Sequence, residues 1–231
     1  MLLEQVKQDI IGFFYKAPDF FFNERDFQMH LALYLQLTGN YDDIDVEYHV
    51  PRKFKDGMDT DYFSWDTKTL SIDIMVCKGN EFVPIELKYK LKGIESQIHR
   101  FGEHSSVPIP IVTDQSAQDL GRYNFWKDVK RIELIKKHFS AVIGGFAVFL
   151  TNDMSYKRQP SKGVNYYAFR MNENDEISGT LAWNSSSGIS ASHKGFDLSG
   201  RYSLFWTDFK AKGTANGIDD DIQLSYCIAC V

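Results

Sequence analysis

A chain of 231 residues with 43% hydrophobic and 25% charged residues has the composition of a globular protein and enough apolar material for a core without staples. Three cysteines, an odd and small number, argue against a disulfide framework, and the longest apolar run, residues 141–150, is too short to span a membrane. A net charge of −5 weighs against a broad basic footprint for nucleic acid, although local charge along a groove decides such binding.

The first residues, MLLEQVKQDIIGFF, are interrupted by Glu4, Lys7 and Asp9 and do not read as a signal peptide, so a cytoplasmic location is expected. Residues 2–16 place Leu3, Val6, Ile10, Ile11 and Phe14 along one helical face. Asn23 is a good N-cap for a second helix, with Glu24 and Asp26 in its first turn. Phe27, Leu31, Tyr34 and Leu35 keep helical spacing until Gly39-Asn40 ends it. Residues 45–50 alternate as a strand, and a polar stretch follows at 52–66.

Residues 70–78 and 81–90 read as two strands around Gly79-Asn80, a two-residue hairpin turn. A short helix is expected at 92–104, before Pro108 and Pro110. The clearest helix is 116–138, with Leu120, Tyr123, Trp126, Val129, Ile132 and Ile135 on one side and Ser116 with Asp119 as a capping box. Residues 141–150 have the continuous apolar character of a strand buried on both faces. The last third is expected to be all β, with strands at 164–171, 177–183, 202–209 and 222–230 and a Ser/Gly-rich loop at 184–192. The whole reads as one α/β domain over residues 1–231, whose sheet extends into the C-terminal strands.

Folding the chain back at Gly79-Asn80 sets Met75 opposite Pro84, Ile74 opposite Ile85 and Asp73 opposite Glu86. Alternation then puts Asp73, Glu86 and Lys88 on one face and Ile72, Ile74, Ile85 and Leu87 on the other. Opposed residues have Cβ atoms about 5 Å apart, so the two carboxylates repel unless a divalent cation joins them. Lys88 lies beside them, suited to orient or deprotonate a water or to stabilise charge on a phosphorane. Pro84 has no N–H for the ladder and requires a bulge or a non-bonded position.

Ile72-Asp73, followed after the hairpin by Ile85-Glu86-Leu87-Lys88, resembles the PD-(D/E)XK nuclease superfamily, which includes many restriction and repair nucleases. The order of elements from Asn23 to Leu150 is similar to that family's αβββαβ core, so the resemblance covers about residues 20–152, with a β-rich extension at about 160–231. It implies a restriction-endonuclease-like fold with a mixed central sheet flanked by helices. It also implies catalytic roles for Asp73, Glu86, Lys88 and Glu24, with Mg²⁺ (or Mn²⁺ in its place) held by Asp73, Glu86, Glu24 and the carbonyl of Leu87. Glu24, with Gln28 one turn later, matches the glutamate that the family often carries on its first core helix. Gln118 and Tyr123 match a helix signature of part of the family imperfectly, with four residues between them, and the family's proline before the motif Asp is replaced by Ile72.

The expected activity is metal-dependent hydrolysis of nucleic acid, DNA first and RNA not excluded, by an endonuclease of restriction, defence or repair type. Gln118, Arg122 and Lys127 are expected to hold the phosphate backbone; six basic against three acidic residues leave the 116–138 helix at +3. The alternative is a catalytically silent nuclease-like module that binds nucleic acid or a protein partner. A second alternative is a non-nuclease globular protein with a coincidental hairpin, in which Asp73 and Glu86 form an ordinary wet sheet face. A homodimer is compatible with either reading. Tyr202, Phe205, Trp206 and Phe209 suit base stacking and a core equally well. Cys227-Ile228-Ala229-Cys230 lacks the further ligands that a zinc site needs, and the six histidines show no ligand spacing.

Overall fold

Apolar spacing in the first 40 residues produces two helices that cover one face of the sheet. The computed structural model describes residues 1–16, 18–50, 70–115, 117–185 and 188–231. Helix α1 (Leu2–Tyr15) buries Leu2, Val6, Ile10, Phe13 and Phe14. Helix α2 (Glu24–Thr38) begins as its sequence dictates: Asn23 Oδ1 accepts the N–H of Asp26 at 2.9 Å. Gly39 ends it in the left-handed conformation, φ +69°, which costs glycine nothing. Phe27, Leu31 and Leu35 are fully buried.

Strand β1 (Asp43–Val50) pairs antiparallel with β2 (Leu70–Lys78), and β2 with β3 (Glu81–Lys90). The hairpin has the register expected from its turn, from Lys78 opposite Glu81 to Ile74 opposite Ile85. Pro84 introduces no bulge. Phe82, two residues earlier, donates its N–H away from β2 to the carbonyl of Ala141 at 2.9 Å, so the nitrogen of Pro84 also faces away from the ladder. The polar stretch at 52–66 lies outside the described residues.

No helix forms at 92–104. The segment makes β4 (Ile94–Ser96), β5 (His99–Arg100) and β6 (Glu103–His104), with β4 paired to β7 (Ile109–Val112) and β5 to β6. Phe101 and Gly102 take φ of +53° and +85° between β5 and β6, values that a helix interior does not offer. Helix α3 (Gln118–His138) follows. Its N-cap is Ala117 at φ +67°, which has no side-chain acceptor, and Asp119 Oδ1 takes the N–H of Leu120 at 2.8 Å. Ser116, expected to form a capping box with Asp119, lies outside the described residues.

Strand β8 (Phe146–Thr151) is buried at every position and runs parallel to β3. Three further elements, β9 (Glu176–Leu181), the short helix α4 (Gly188–Ser192) and β10 (Phe196–Ser203), precede β11 (Trp206–Ala211) and β12 (Ile222–Cys230). The central sheet has the order β1-β2-β3-β8-β12-β11 and is mixed, because β3 and β8 alone pair in parallel. The chain is thus α/β, and its C-terminal strands β11 and β12 complete the sheet.

Two strand expectations fail. Within 164–171 the structure has only a 3₁₀ turn, Tyr167–Phe169. The expected strand at 202–209 is split, since β10 pairs with β9 outside the central sheet while β11 pairs with β12 inside it. Tyr202, Leu204 and Trp206 are buried in strict alternation across that break, so the pattern carries no sign of it.

Two helices and one helix-plus-hairpin layer enclose the sheet. Helices α1 and α2 pack with Ile74, Val76, Val83, Ile85 and Leu87. Helix α3 packs with Ala147, Phe149 and the β9/β10 hairpin. Glu133 of α3 pins that hairpin: its carboxylate accepts the N–H of Ser199 (2.8 Å), the N–H of Gly200 (2.7 Å) and the hydroxyl of Tyr202 (2.8 Å), and pairs with Lys130 (3.1 Å). Burial alone would raise its pKa, but these donors outweigh burial and hold it below the ordinary value. Glu133→Gln is expected to cost about 2 kcal/mol at neutral pH, measured by urea unfolding. A depressed folded pKa makes this stability complete above the unfolded value of about 4.3, and it is lost as pH falls through the folded value. Equal stability of the two proteins at pH 7 would contradict this role.

Candidate active site

The β2/β3 ladder stops one step short of Asp73. The last paired residues are Ile74 and Ile85, after which β2 stays with β1 and β3 with β8. The gap is closed by side chains. Asp73 Oδ2 accepts the N–H of Leu87 at 2.6 Å, and the carbonyl of Asp73 accepts Gln28 Nε2 of α2 at 2.6 Å. On β1, Glu47 takes φ +52°, between the pairs Val46–Ile74 and Tyr48–Ile72.

The alternation also breaks here. Ile74, Ile85 and Leu87 pack beneath α1 and α2, but Ile72 packs with Val50, Leu70, Met75, Leu134 and Ile135. The expectation that all four share a face is corrected by the irregular backbone at Glu47 and Asp73. The first half of the expectation is met differently from a flat ladder: Asp73 reaches the site by leaning between two separating strands.

Glu86 and Lys88 stand in register with Ala147 and Phe149 of β8, which pack against α3. Glu86 is buried, and its Oε1 lies 3.7 Å from a guanidinium nitrogen of Arg131 and has no hydrogen-bond partner. Lys88 Nζ is 3.0 Å from Asp128 Oδ2, 3.9 Å from Glu24 Oε1 and 2.9 Å from the carbonyl oxygen of Leu87, to which it donates. Asp128 Oδ1 pairs with Arg131 at 3.1 Å. Glu24 arrives from the first turn of α2, and its Oε2 accepts the N–H of Tyr89 at 2.8 Å.

Burial pushes the pKa of Asp73 up to about 6, against the pull of Lys88. Glu86 is held well above the usual carboxylate range by burial and by the neighbouring Asp128 and Asp73. Burial works to lower the pKa of Lys88, but the carboxylates of Asp128, Glu24, Asp73 and Glu86 outweigh it and raise the value. Counted as ionised, the four carboxylates (Glu24, Asp73, Glu86, Asp128) exceed the two cations (Lys88, Arg131) by two, a surplus that protons on the raised-pKa groups Asp73 and Glu86 relieve and that a divalent cation can relieve in their place. A three-acid cage is not preformed: Glu24, Asp73 and Glu86 do not bring three ligand atoms within 4.8 Å of one another.

Glu24, Asp73, Glu86 and Lys88 therefore converge, while the three residues expected to hold phosphate do not join them. Gln118 at the start of α3 donates to Asp153. Arg122 is buried, with its guanidinium on the carbonyls of Ser155 (2.7 Å) and Tyr156 (3.2 Å) and stacked on the rings of Tyr156 and Tyr166. Lys127 is buried, and burial with the nearby Arg131 pushes its pKa down to about 8. These contacts correct the backbone-binding expectation for Arg122, whose guanidinium faces the protein interior.

Asp128 and Arg131 are the residues that sequence reasoning missed. The signal was a second helical stripe, Gly121, Phe125, Asp128, Ile132 and Ile135, whose 3–4 spacing sets an acid among core positions. Of the aromatics considered for base stacking, Tyr202 and Trp206 are core residues and Phe205 is exposed. The three cysteines are free, with Cys227 buried and Cys230 exposed. Among the described residues no helix is long and apolar enough to cross a membrane.

No family model, curated protein or solved structure matches the chain.

Proposed function

We propose that the protein is a metal-dependent nuclease of the PD-(D/E)XK kind, hydrolysing phosphodiester bonds in nucleic acid, with DNA as the first candidate substrate. The observation that carries this reading is the approach of Asp73, Glu86, Lys88 and Glu24 from three separate elements, where burial and neighbouring carboxylates raise the pKa of Asp73 and Glu86. The order α2, β1–β3, α3, β8, with a parallel β3/β8 pair, supports a restriction-endonuclease-like core.

The donor set is made of hard carboxylate oxygens, and Glu86 Oε1 is buried without a hydrogen-bond partner, so the residues fit Mg²⁺ or Mn²⁺. Asp73 and Glu86 would hold the ion, with Glu24 contributing directly or through water. The carbonyl of Leu87 accepts Lys88 and would have to exchange that partner to act as a ligand. Such an ion, when bound, polarises a phosphate and lowers the pKa of a coordinated water. The chain's own groups orient the reaction. Leu87 N–H fixes the Asp73 carboxylate, Asp128 and Glu24 hold the Lys88 ammonium in place, and that ammonium orients water or offsets charge on the phosphoryl oxygens.

One observation favours the silent-module reading. The Arg131 guanidinium lies 3.7 Å from Glu86 and already offsets part of its charge. A panel of single- and double-stranded DNA and RNA, incubated with Mg²⁺ or Mn²⁺, separates the two. Cleavage that stops on chelation supports the enzyme. No cleavage of any form with either ion leaves the binding module as the better account.

A further inference from the structure

Two histidines and an aspartate, far from the acidic site in sequence and chemistry, meet at the surface. His99 and His104 are directly opposed across the β5/β6 hairpin, with rings stacked at 4.1 Å between centroids. Asp219, in the segment leading into β12, places Oδ2 2.9 Å from His104 Nε2 and Oδ1 3.7 Å from His99 Nε2. One ligand atom from each lies within 4.8 Å of the other two, the only such trio of His, Cys, Asp and Glu among the described residues.

Backbone bonds build this arrangement. His99 N–H donates to the carbonyl of Gly217 at 2.7 Å, and Asp219 N–H donates to the carbonyl of Gln97 at 3.1 Å. Ile98 and Ile218 form a bridge between these two bonds. The Arg100 guanidinium reaches the carbonyl of Asn216. Gly217 has φ +64°, and a Cβ there would fall 2.5 Å from the carbonyl oxygen of His99, so the close approach of the two segments requires glycine. The hairpin and the loop are thus held together before any ion arrives, with the three side chains aimed at one point.

We propose that His99, His104 and Asp219 form a binding site for a divalent transition-metal cation, zinc first. Two imidazoles and one carboxylate, with no thiolate, suit a borderline cation, whereas Mg²⁺ and Ca²⁺ take oxygen ligands. Ligand atoms on a tetrahedral zinc are about 3.4 Å apart, given bonds of about 2.0–2.1 Å. The observed 2.9 and 3.7 Å bracket that separation, and rotation of exposed rings closes the remainder. Side-chain exposures of 60, 40 and 37% for His99, His104 and Asp219 leave the fourth position open to water, so the ion exchanges with solvent. Bound there, it staples the hairpin to the chain entering β12, across 115 residues of sequence.

The test uses full-length protein without a histidine tag, stripped with chelator and titrated with zinc chloride by calorimetry, with Co²⁺ absorption as a second readout. One zinc per chain and a higher melting temperature are expected, with Mg²⁺ unable to compete. His104→Ala, His99→Ala and Asp219→Asn should each weaken binding at least about tenfold, by loss of one of three ligands. Circular dichroism checks that these surface variants fold. Absence of zinc binding by the wild type, or unchanged affinity in the His99→Ala/His104→Ala double variant, overturns the proposal. Loss of zinc binding in Asp73→Ala with the histidines intact overturns it too, because the ion would then belong to the acidic site. None of these outcomes bears on nuclease activity, which does not involve these side chains.

Discussion

Asp73→Ala is expected to lower metal-dependent cleavage by on the order of 10³-fold, the scale of losing a group that positions charge in the transition state. Asp73 stands where β2 leaves β3, and its carboxylate occupies the gap by accepting Leu87 N–H. Truncation leaves that N–H without its acceptor, at a cost of about 1–2 kcal/mol, partly offset by less repulsion on Glu86. Asp73→Asn keeps an acceptor for Leu87 and removes only the charge, so it isolates the chemistry from the fold. Both variants should melt within a few degrees of wild type yet lose cleavage. Full activity in Asp73→Asn would remove Asp73 from the mechanism.

Arg122→Ala should be the most damaging of the stability variants, lowering stability by about 3–4 kcal/mol, which is roughly 10 °C in melting temperature for a chain of this size. The guanidinium fills a fully enclosed space between Tyr156 and Tyr166 and satisfies two backbone carbonyls. Removal leaves both a cavity and unpaired acceptors. Arg122→Lys should rescue little, because an ammonium cannot stack and fork in the same way. The salt dependence of nucleic-acid binding should not change in either variant, since Arg122 meets no solvent. A reduced salt slope with unchanged stability would restore it as a phosphate contact.

Local chemistry was the legible part of this chain. Asn23, Gly39 and the Gly79-Asn80 turn act through a few neighbouring atoms, and the helix cap, helix end and hairpin register follow from them directly. Glu86 and Lys88 were readable for the same reason, since alternation within one strand sets their face. Ile72 was not, because the face it takes depends on the distortion at Glu47 and Asp73, which arises between strands. Asp128 and Arg131 were hidden by their place in a helix whose charged residues read as a phosphate-holding face. Asp128 is buried, and both side chains are drawn to the site by Lys88 and Glu86 of β3. His99, His104 and Asp219 show the limit most clearly. Their spacing carries no ligand signature, and a contact between a hairpin and a loop 115 residues away brings them together. The failed helix at 92–104 belongs to the same class, as its strands form through pairing with β7 and with the loop at 217–219.

The central claim is that Asp73 and Glu86 serve one divalent cation. Its most direct test is Mn²⁺ binding followed by electron paramagnetic resonance in the His104→Ala background, which removes the competing histidine site. The account predicts a bound Mn²⁺ in that background that disappears when Asp73→Asn is added. Mn²⁺ bound equally well with and without Asp73→Asn would contradict it.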